Sequence, residues 1–324
     1  MQDQNFPRSP LLFSLGADRI LGEQVARALA LPLSPVEERR FEDGEQKVRP
    51  LVSVRGRDAY VFSSLHGDSQ DTANDKLCRL LFFIGCLKTN GARRVTAVSP
   101  YLCYMRKDRQ TKEQDPITGL YVAQLLEAVG TDQVMTLEAH NLSALQNAFR
   151  RPTLHLTAHG QFAERMIEIA GDAEFCVVSP DLGGAKRAEA FRELLEAKLG
   201  RPVNKAFLEK QRSSGLVTGD LFAGDVAGRV AVIVDDLISS GTTMARAAET
   251  CRRNGAERVY LCATHALFSP GARATLASTT IDGIIVTDSV ALEEEWAGAK
   301  SLTVLPIAGL LAAAISGDAN IAYR

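Results

Sequence analysis

The chain has 324 residues, room for two domains of ordinary size, each with its own core. Its 37 basic and 39 acidic residues leave a net charge of −2, which gives no support for a nucleic-acid partner. Apolar runs such as residues 80–87 are too short to cross a bilayer, so no membrane role is expected. Residues 1–5 carry no basic-then-apolar leader pattern. Six cysteines stand singly in apolar surroundings and read as small buried hydrophobes of a cytoplasmic protein. The five histidines lack zinc-ligand spacing.

Short β-branched apolar runs alternate with amphipathic stretches, which predicts an α/β fold with mostly parallel sheets flanked by helices. Strands are expected at residues 11–15, 59–63, 95–99, 133–137, 175–179, 203–208, 229–234, 259–264 and 284–286. A linker is expected near Arg151-Pro152, and residues 305–315 read as an Ala/Leu-rich helix that must pack on something. Two patterns recur in the same order. Val54-Arg55-Gly56-Arg57 and Val226-Ala227-Gly228-Arg229 each lead into an apolar run. Asn90-Gly91-Ala92-Arg93-Arg94-Val95 and Asn254-Gly255-Ala256-Glu257-Arg258-Val259 each end a helix and enter a strand. Two matches in register point to one βαβ unit used twice.

Chemistry-bearing residues fall mostly where these strands end, where open parallel sheets bind ligands. Phe41-Glu42-Asp43-Gly44-Glu45 combines an aromatic ring, carboxylates and a glycine, and by itself reads as a solvated turn. Residues 101–115 are polar and basic; Arg106, Lys107 and Arg109 there could clamp a polyphosphate or simply be solvated. His140 and Asp181 each follow an apolar strand, and Asp181 precedes Gly183-Gly184. Lys210-Gln211-Arg212 opens a glycine-containing stretch, residues 213–219, that reads as a surface loop.

The strongest signal is the run Val230-Ala231-Val232-Ile233-Val234 followed by Asp235-Asp236 and Ser239-Ser240-Gly241-Thr242-Thr243. Small residues let backbone N–H groups converge on an anion, hydroxyls add donors, and the next helix contributes its positive end. Two acids beside such a cradle repel phosphate and suit ribose hydroxyls or a Mg²⁺-bound group. The first copy ends instead in Ser63-Ser64-Leu65-His66-Gly67-Asp68, without a cradle.

This loop resembles that of type I phosphoribosyltransferases, and the ordered set of motifs resembles the ribose-phosphate diphosphokinase family over nearly the whole chain. The resemblance implies two tandem phosphoribosyltransferase-like domains, 1–151 and 152–305, with the helix from about 306 packing on the first. It implies transfer of a diphosphoryl group from ATP to the 1-hydroxyl of ribose 5-phosphate. Phe41, Asp43, Gly44 and Glu45 would then hold adenine, with Arg106, Lys107 and Arg109 around the ATP. Lys210 and Arg212 would be catalytic. Asp235 and Asp236 would meet the ribose, Ser239, Ser240, Gly241, Thr242 and Thr243 the 5-phosphate, and His140 and Asp181 would position Mg²⁺. The family also implies a homo-oligomer, a hexamer built from dimers, with adenine sites shared between chains. The chain departs from the pattern at Gln211, at Ser213-Ser214-Gly215-Leu216-Val217, at Leu137-Glu138-Ala139-His140 and at Ser239, where an acid is usual. Other readings are a non-catalytic synthetase-associated paralogue, or a phosphoribosyltransferase that consumes the activated sugar.

Overall fold

The computed structural model describes residues 9–213, 216–277, 280–296, 298–299 and 301–317, which fall into two compact units. The first holds residues up to Leu156 together with those from Ile307 onward, and the second holds Thr157–Pro306.

In the first unit the chain runs β1 (Leu11–Ser14), α1 (Arg19–Ala28), β2 (Val36–Arg40), β3 (Gln46–Pro50), β4 (Asp58–Phe62), α2 (Ala73–Thr89), β5 (Arg94–Val98), α3 (Thr118–Ala128), β6 (Gln133–Leu137), α4 (Leu142–Ala148) and β7 (Thr153–Leu156). Strands β1-β4-β5-β6-β7 form one parallel sheet, while β2 and β3 make a separate antiparallel ribbon. Period-2 alternation distributes side chains to both faces of that sheet. Ala59 and Val61 of β4 join the cluster around Phe13, Phe83 and Ile84, whereas Phe62 joins the one around Leu12 and Val25. Phe13 meets Phe83 edge-to-face, with centroids 5.3 Å apart. Helix α2 starts at a capping box: Asp75 N–H donates to Thr72 Oγ1, and Thr72 N–H donates to the Asp75 carboxylate.

The second unit contains α5 (His159–Ala170), β8 (Phe175–Ser179), α6 (Ala185–Leu199), β9 (Asn204–Ser213), β10 (Leu216–Gly224), β11 (Val230–Ile238), α7 (Thr242–Arg253), β12 (Arg258–Ala266), α8 (Ala272–Leu276), β13 (Gly283–Thr287) and β14 (Leu302–Leu305). Its sheet has the order β10-β9-β8-β11-β12-β13-β14, parallel except for the antiparallel pair β9–β10. Helix α9 (Ala308–Ser316) belongs to the first unit, where Ile307, Ala308, Leu311 and Ala312 pack with Leu21, Val25 and Ala26.

The duplication is visible in matching hydrogen bonds. Gly56 N–H donates to the Gly91 carbonyl at 2.8 Å, and Gly228 N–H to that of Gly255 at 2.9 Å. Arg93 N–H bonds to Arg57 O, and Glu257 N–H to Arg229 O. The likeness extends to residues the sequence pattern did not single out. Asp132 accepts from Val95 N–H and pairs with Lys88, just as Asp282 accepts from Val259 N–H and pairs with Arg252.

Several elements differ from expectation. Residues 213–219 do not form a plain loop: β9 continues to Ser213 and β10 begins at Leu216, so the described part is a long hairpin with a register shift between Val217 and Gly219. Strand β10 is the sheet edge and pairs on one side only, and residues 213–219 have no apolar alternation to mark a strand. Strand β11 runs four residues past Val234, because β12 runs equally far and pairs with it through Ile238↔Ala266. Strand β7 extends the first sheet, so the first unit ends at Leu156 rather than at Arg151. The remaining unforeseen strands, β2, β3 and β14, are short and mostly exposed or only partly buried.

Candidate active site

Strand β8 lies between β9 and β11, so strand order reverses at the β8–β11 boundary, the place where open parallel sheets bind ligands beyond the carboxyl ends of their strands. Pairing between β8 and β11 stops at Ile233↔Val178. Beyond it β11 keeps only β12, and Asp235 and Asp236 come where β8 has turned away. Asp236 is buried and Asp235 partly so. Arg187, in the first turn of α6, closes on both: Nη1 lies 2.8 Å from Asp235 Oδ1 and Nη2 3.4 Å from Asp236 Oδ1. Burial first, then the neighbouring Asp236 charge, push the Asp235 carboxyl well above the ordinary range, with Arg187 opposing. An acid pair so placed, at the carboxyl end of a strand, suits ribose hydroxyls or a cation. Arg187 was not singled out from the sequence. Its signal was indirect, since two adjacent buried acids require a cation from elsewhere in the chain.

The loop after β11 is built around Gly241. Its φ of +78° is a left-handed conformation, and a Cβ there would stand 2.7 Å from Leu276 Cγ. Gly241 is also the N-cap of α7 and leaves the helix without a side-chain cap, so its first-turn N–H groups face the loop. Ser240 Oγ and Thr242 Oγ1 are 3.1 Å apart, and Ser269 N–H ties Ser239 O to the chain after β12 at 3.2 Å. Ser239–Thr243 thus make a compact group of hydroxyls and amides at a helix start, a short step along the chain from the acid pair. At the end of β8, Asp181 Oδ1 accepts from Gly184 N–H at 3.0 Å, and Ser179 Oγ donates to Asp181 O at 2.6 Å. Lys210 and Arg212 fall on β9, opposite Asp220 and Val217; their side chains lie outside the described residues.

The first unit holds the other sequence candidates. Residues 41–45 are all exposed at the tip of the β2–β3 ribbon. Phe41 N–H donates to Glu45 O at 2.8 Å, Glu45 N–H to Asp43 Oδ1 at 3.0 Å, and Gly44 turns the chain at φ +90°. The Arg39 guanidinium lies 4.8 Å from the Phe41 ring centroid. Arg106 and Arg109 are at least partly exposed, but Lys107 turns into its own loop, with Nζ 2.5 Å from Asp115 Oδ2 and 3.1 Å from Thr111 Oγ1. Those hydrogen bonds, Lys107 first, hold the Asp115 carboxyl far below the usual range. Asp108 accepts from Asn141 at 2.7 Å, tying the basic segment to the turn that carries His140. Asp108, Arg109, Asn141 and Asn147 line a cavity of about 410 Å³ there. His140 is exposed two residues after Glu138, a buried non-glycine residue at φ +44°. Where the cradle would stand, the first unit has a Lys76–Asp68 ion pair of 2.6 Å, with Asp18 accepting from Ser64 N–H at 2.7 Å.

Residues 11–130 match a family model described as the N-terminal domain of ribose phosphate pyrophosphokinase, and residues 218–320 match the phosphoribosyl synthetase-associated domain. A ribose-phosphate pyrophosphokinase from Pasteurella multocida is 35% identical over 311 residues, 95% of this chain and 96% of its own length. One from Vibrio vulnificus is 36% identical over the same shares. The chain belongs to the ribose-phosphate pyrophosphokinase family. The crystal structure of phosphoribosylpyrophosphate synthetase from Mycobacterium smegmatis superposes with a TM-score of 0.87 at 33% identity, covering 96% of this chain and 99% of that one. Membership therefore extends over both units and includes the β9–β10 hairpin, although Gln211 and residues 213–217 depart from the motif expected there.

Proposed function

We infer that this protein is a ribose-phosphate diphosphokinase: it transfers the diphosphoryl group of ATP to the 1-hydroxyl of ribose 5-phosphate, giving 5-phosphoribosyl 1-diphosphate and AMP. The observation that carries the reading is the Asp235–Asp236–Arg187 group beside the Ser239–Thr243 cradle at the strand-order reversal, in a chain with family likeness over 95% of its length.

Ser239, Ser240, Gly241, Thr242 and Thr243 bind the 5-phosphate, and Asp235 and Asp236 accept from ribose hydroxyls. Arg187 holds the two carboxylates in place. The 1-hydroxyl oxygen forms a bond to the β-phosphorus while the bond from that phosphorus to the α,β-bridging oxygen breaks, and AMP leaves. Lys210 and Arg212 meet the charge that develops on the transferring group, where positioning and charge neutralisation account for most of the rate. Phe41, Asp43, Gly44 and Glu45 hold adenine, with Arg106, Lys107 and Arg109 around the phosphates; Lys107 must exchange Asp115 for nucleotide to do so.

In the second unit Asp181, with one oxygen fixed by Gly184 N–H, would serve as a Mg²⁺ ligand, and in the first unit the exposed His140 would do so, each as one of the few protein ligands that this ion takes. When bound, Mg²⁺ neutralises charge on the ATP phosphates. The working form is a homo-oligomer, a hexamer built from dimers, in which residues 41–45 serve a neighbour's site. A cytoplasmic location accords with free cysteines throughout the described residues, several deeply buried. Incubation with ATP, Mg²⁺ and ribose 5-phosphate should release AMP only when the sugar is present. Sugar-dependent ADP would make the protein an ordinary kinase and end this reading.

A further inference from the structure

A two-stranded ribbon is marginally stable by itself, and β2 and β3 bury only Val48 fully. Val48 is buried in the first core and the half-buried Val36 packs against it, but two non-directional apolar contacts do little to set the direction of the ribbon. The directional contacts come from Arg79 on α2. Only 7% of Arg79 is exposed, and its guanidinium reaches both strands: Nε donates to Gln46 Oε1 at 2.7 Å, and Nη1 to Glu38 Oε2 at 3.3 Å. Nη2 donates to Asp71, just before α2. Arg40 of β2 reaches the same carboxylate, 3.1 Å from Asp71 Oδ1, and donates to Gln70 O at 3.3 Å. Glu38 accepts in turn from Gly16 N–H, at 3.0 and 3.2 Å.

The anchored positions flank the exposed tip. Arg40 immediately precedes Phe41, Gln46 immediately follows Glu45, and the two are register partners. The tip therefore hangs from a fixed base, and the base is fixed by one planar fork whose geometry Lys cannot reproduce. A buried guanidinium is costly to desolvate unless its donors are matched, and an apolar residue would hold α2 against β3 with less penalty. Direction, more than adhesion, is what the charged group adds.

We propose that Arg79 is a positioning residue for nucleotide binding, setting the angle of the β2–β3 ribbon and so the place where residues 41–45 meet adenine. The proposal rests on the reading of that tip as the adenine-binding turn.

Arg79→Met, Arg79→Lys and Gln46→Leu, each with melting temperature recorded, should be compared with the unaltered protein, varying ATP and ribose 5-phosphate separately. Arg79→Met is expected to raise the KM for ATP about tenfold, and Gln46→Leu about threefold, while kcat and the KM for ribose 5-phosphate stay within about twofold. Arg79→Lys should recover part of the loss. An unchanged KM for ATP in Arg79→Met and Gln46→Leu, whatever the melting temperature does, overturns the proposal, as does an equal rise in both KM values. Should Arg79→Met fail to fold, Gln46→Leu decides by the same criteria. Absence of AMP formation by the unaltered protein defeats the functional reading itself; an active unaltered enzyme whose variants keep their KM for ATP defeats only the clamp.

Discussion

Replacing Gly241 by Ala should injure the cradle in two separable ways. The left-handed φ of +78° costs an alanine roughly 1–2 kcal/mol relative to glycine. The added Cβ would also stand 2.7, 2.9 and 3.1 Å from Leu276 Cγ, Cδ2 and Cδ1, in a side chain only 4% exposed. Forcing a methyl into such packing costs about 1–3 kcal/mol. The sum, roughly 2–5 kcal/mol, is within the stability of an ordinary domain, so the variant should fold with a lowered melting temperature. Because Gly241 N-caps α7, relief of the clash displaces the first-turn amides, and the KM for ribose 5-phosphate should rise at least tenfold, about 1.4 kcal/mol. Leu276→Ala removes the obstructing atoms, so the double variant should be less destabilised than the two single changes added together, by about 1 kcal/mol. Thermal melting with steady-state kinetics reads both effects. A Gly241→Ala enzyme with unaltered melting temperature and unaltered KM for ribose 5-phosphate would refute the claim that this glycine shapes a phosphate cradle.

Lys210→Ala should lower kcat by on the order of 10²-fold with ribose 5-phosphate binding little changed, because its charge matters mainly during transfer; near-normal turnover would assign the hairpin another role. Burial lifts the Asp18 carboxyl to about 6, against the Ser64 N–H that it accepts. Its folded pKa lies above the unfolded value of 3.8, so the native state holds the proton more tightly. Stability should therefore decline as pH rises from about 4 to about 6 and level off above. Asp18→Asn, which keeps an oxygen for Ser64, should flatten that decline and raise the melting temperature at neutral pH; an unchanged profile would mean that Asp18 is not held protonated. Asp43→Ala and Lys210→Ala, each strongly impaired alone, should regain partial activity when dissociated and reassembled together, because mixed sites join an intact residue from each chain. No recovery despite demonstrated subunit exchange would mean that each chain carries a complete site.

What could be read from the sequence was what lies contiguous in it. The acid pair and the Ser-Gly-Thr run are adjacent to a buried strand, and the unbroken run of apolar, mostly β-branched residues from Val230 to Val234 is enough to mark a strand covered on both faces, as parallel sheets require. The repeated glycine patterns likewise implied the duplication that the Gly56–Gly91 and Gly228–Gly255 hydrogen bonds display. Features that depend on residues far apart were not legible. Arg187 meets Asp235 across 48 positions, and in the chain it looks like one more surface charge after Lys186. The β2–β3 ribbon was hidden for a related reason. Val36-Glu37-Glu38-Arg39-Arg40 has no apolar alternation, and its acids are satisfied by Lys47, Arg49 and Arg79 from other elements. Lys107 shows the converse limit, since a basic residue in a phosphate-clamp motif is paired here within its own loop.

Transfer of the diphosphoryl group requires that the β-phosphorus of ATP be the atom attacked. ATP carrying a phosphorus radiolabel at the β-position, incubated with Mg²⁺ and ribose 5-phosphate, tests it most directly. Label should move into the sugar product in step with unlabelled AMP. Label recovered in ADP, formed only when the sugar is present, would contradict it.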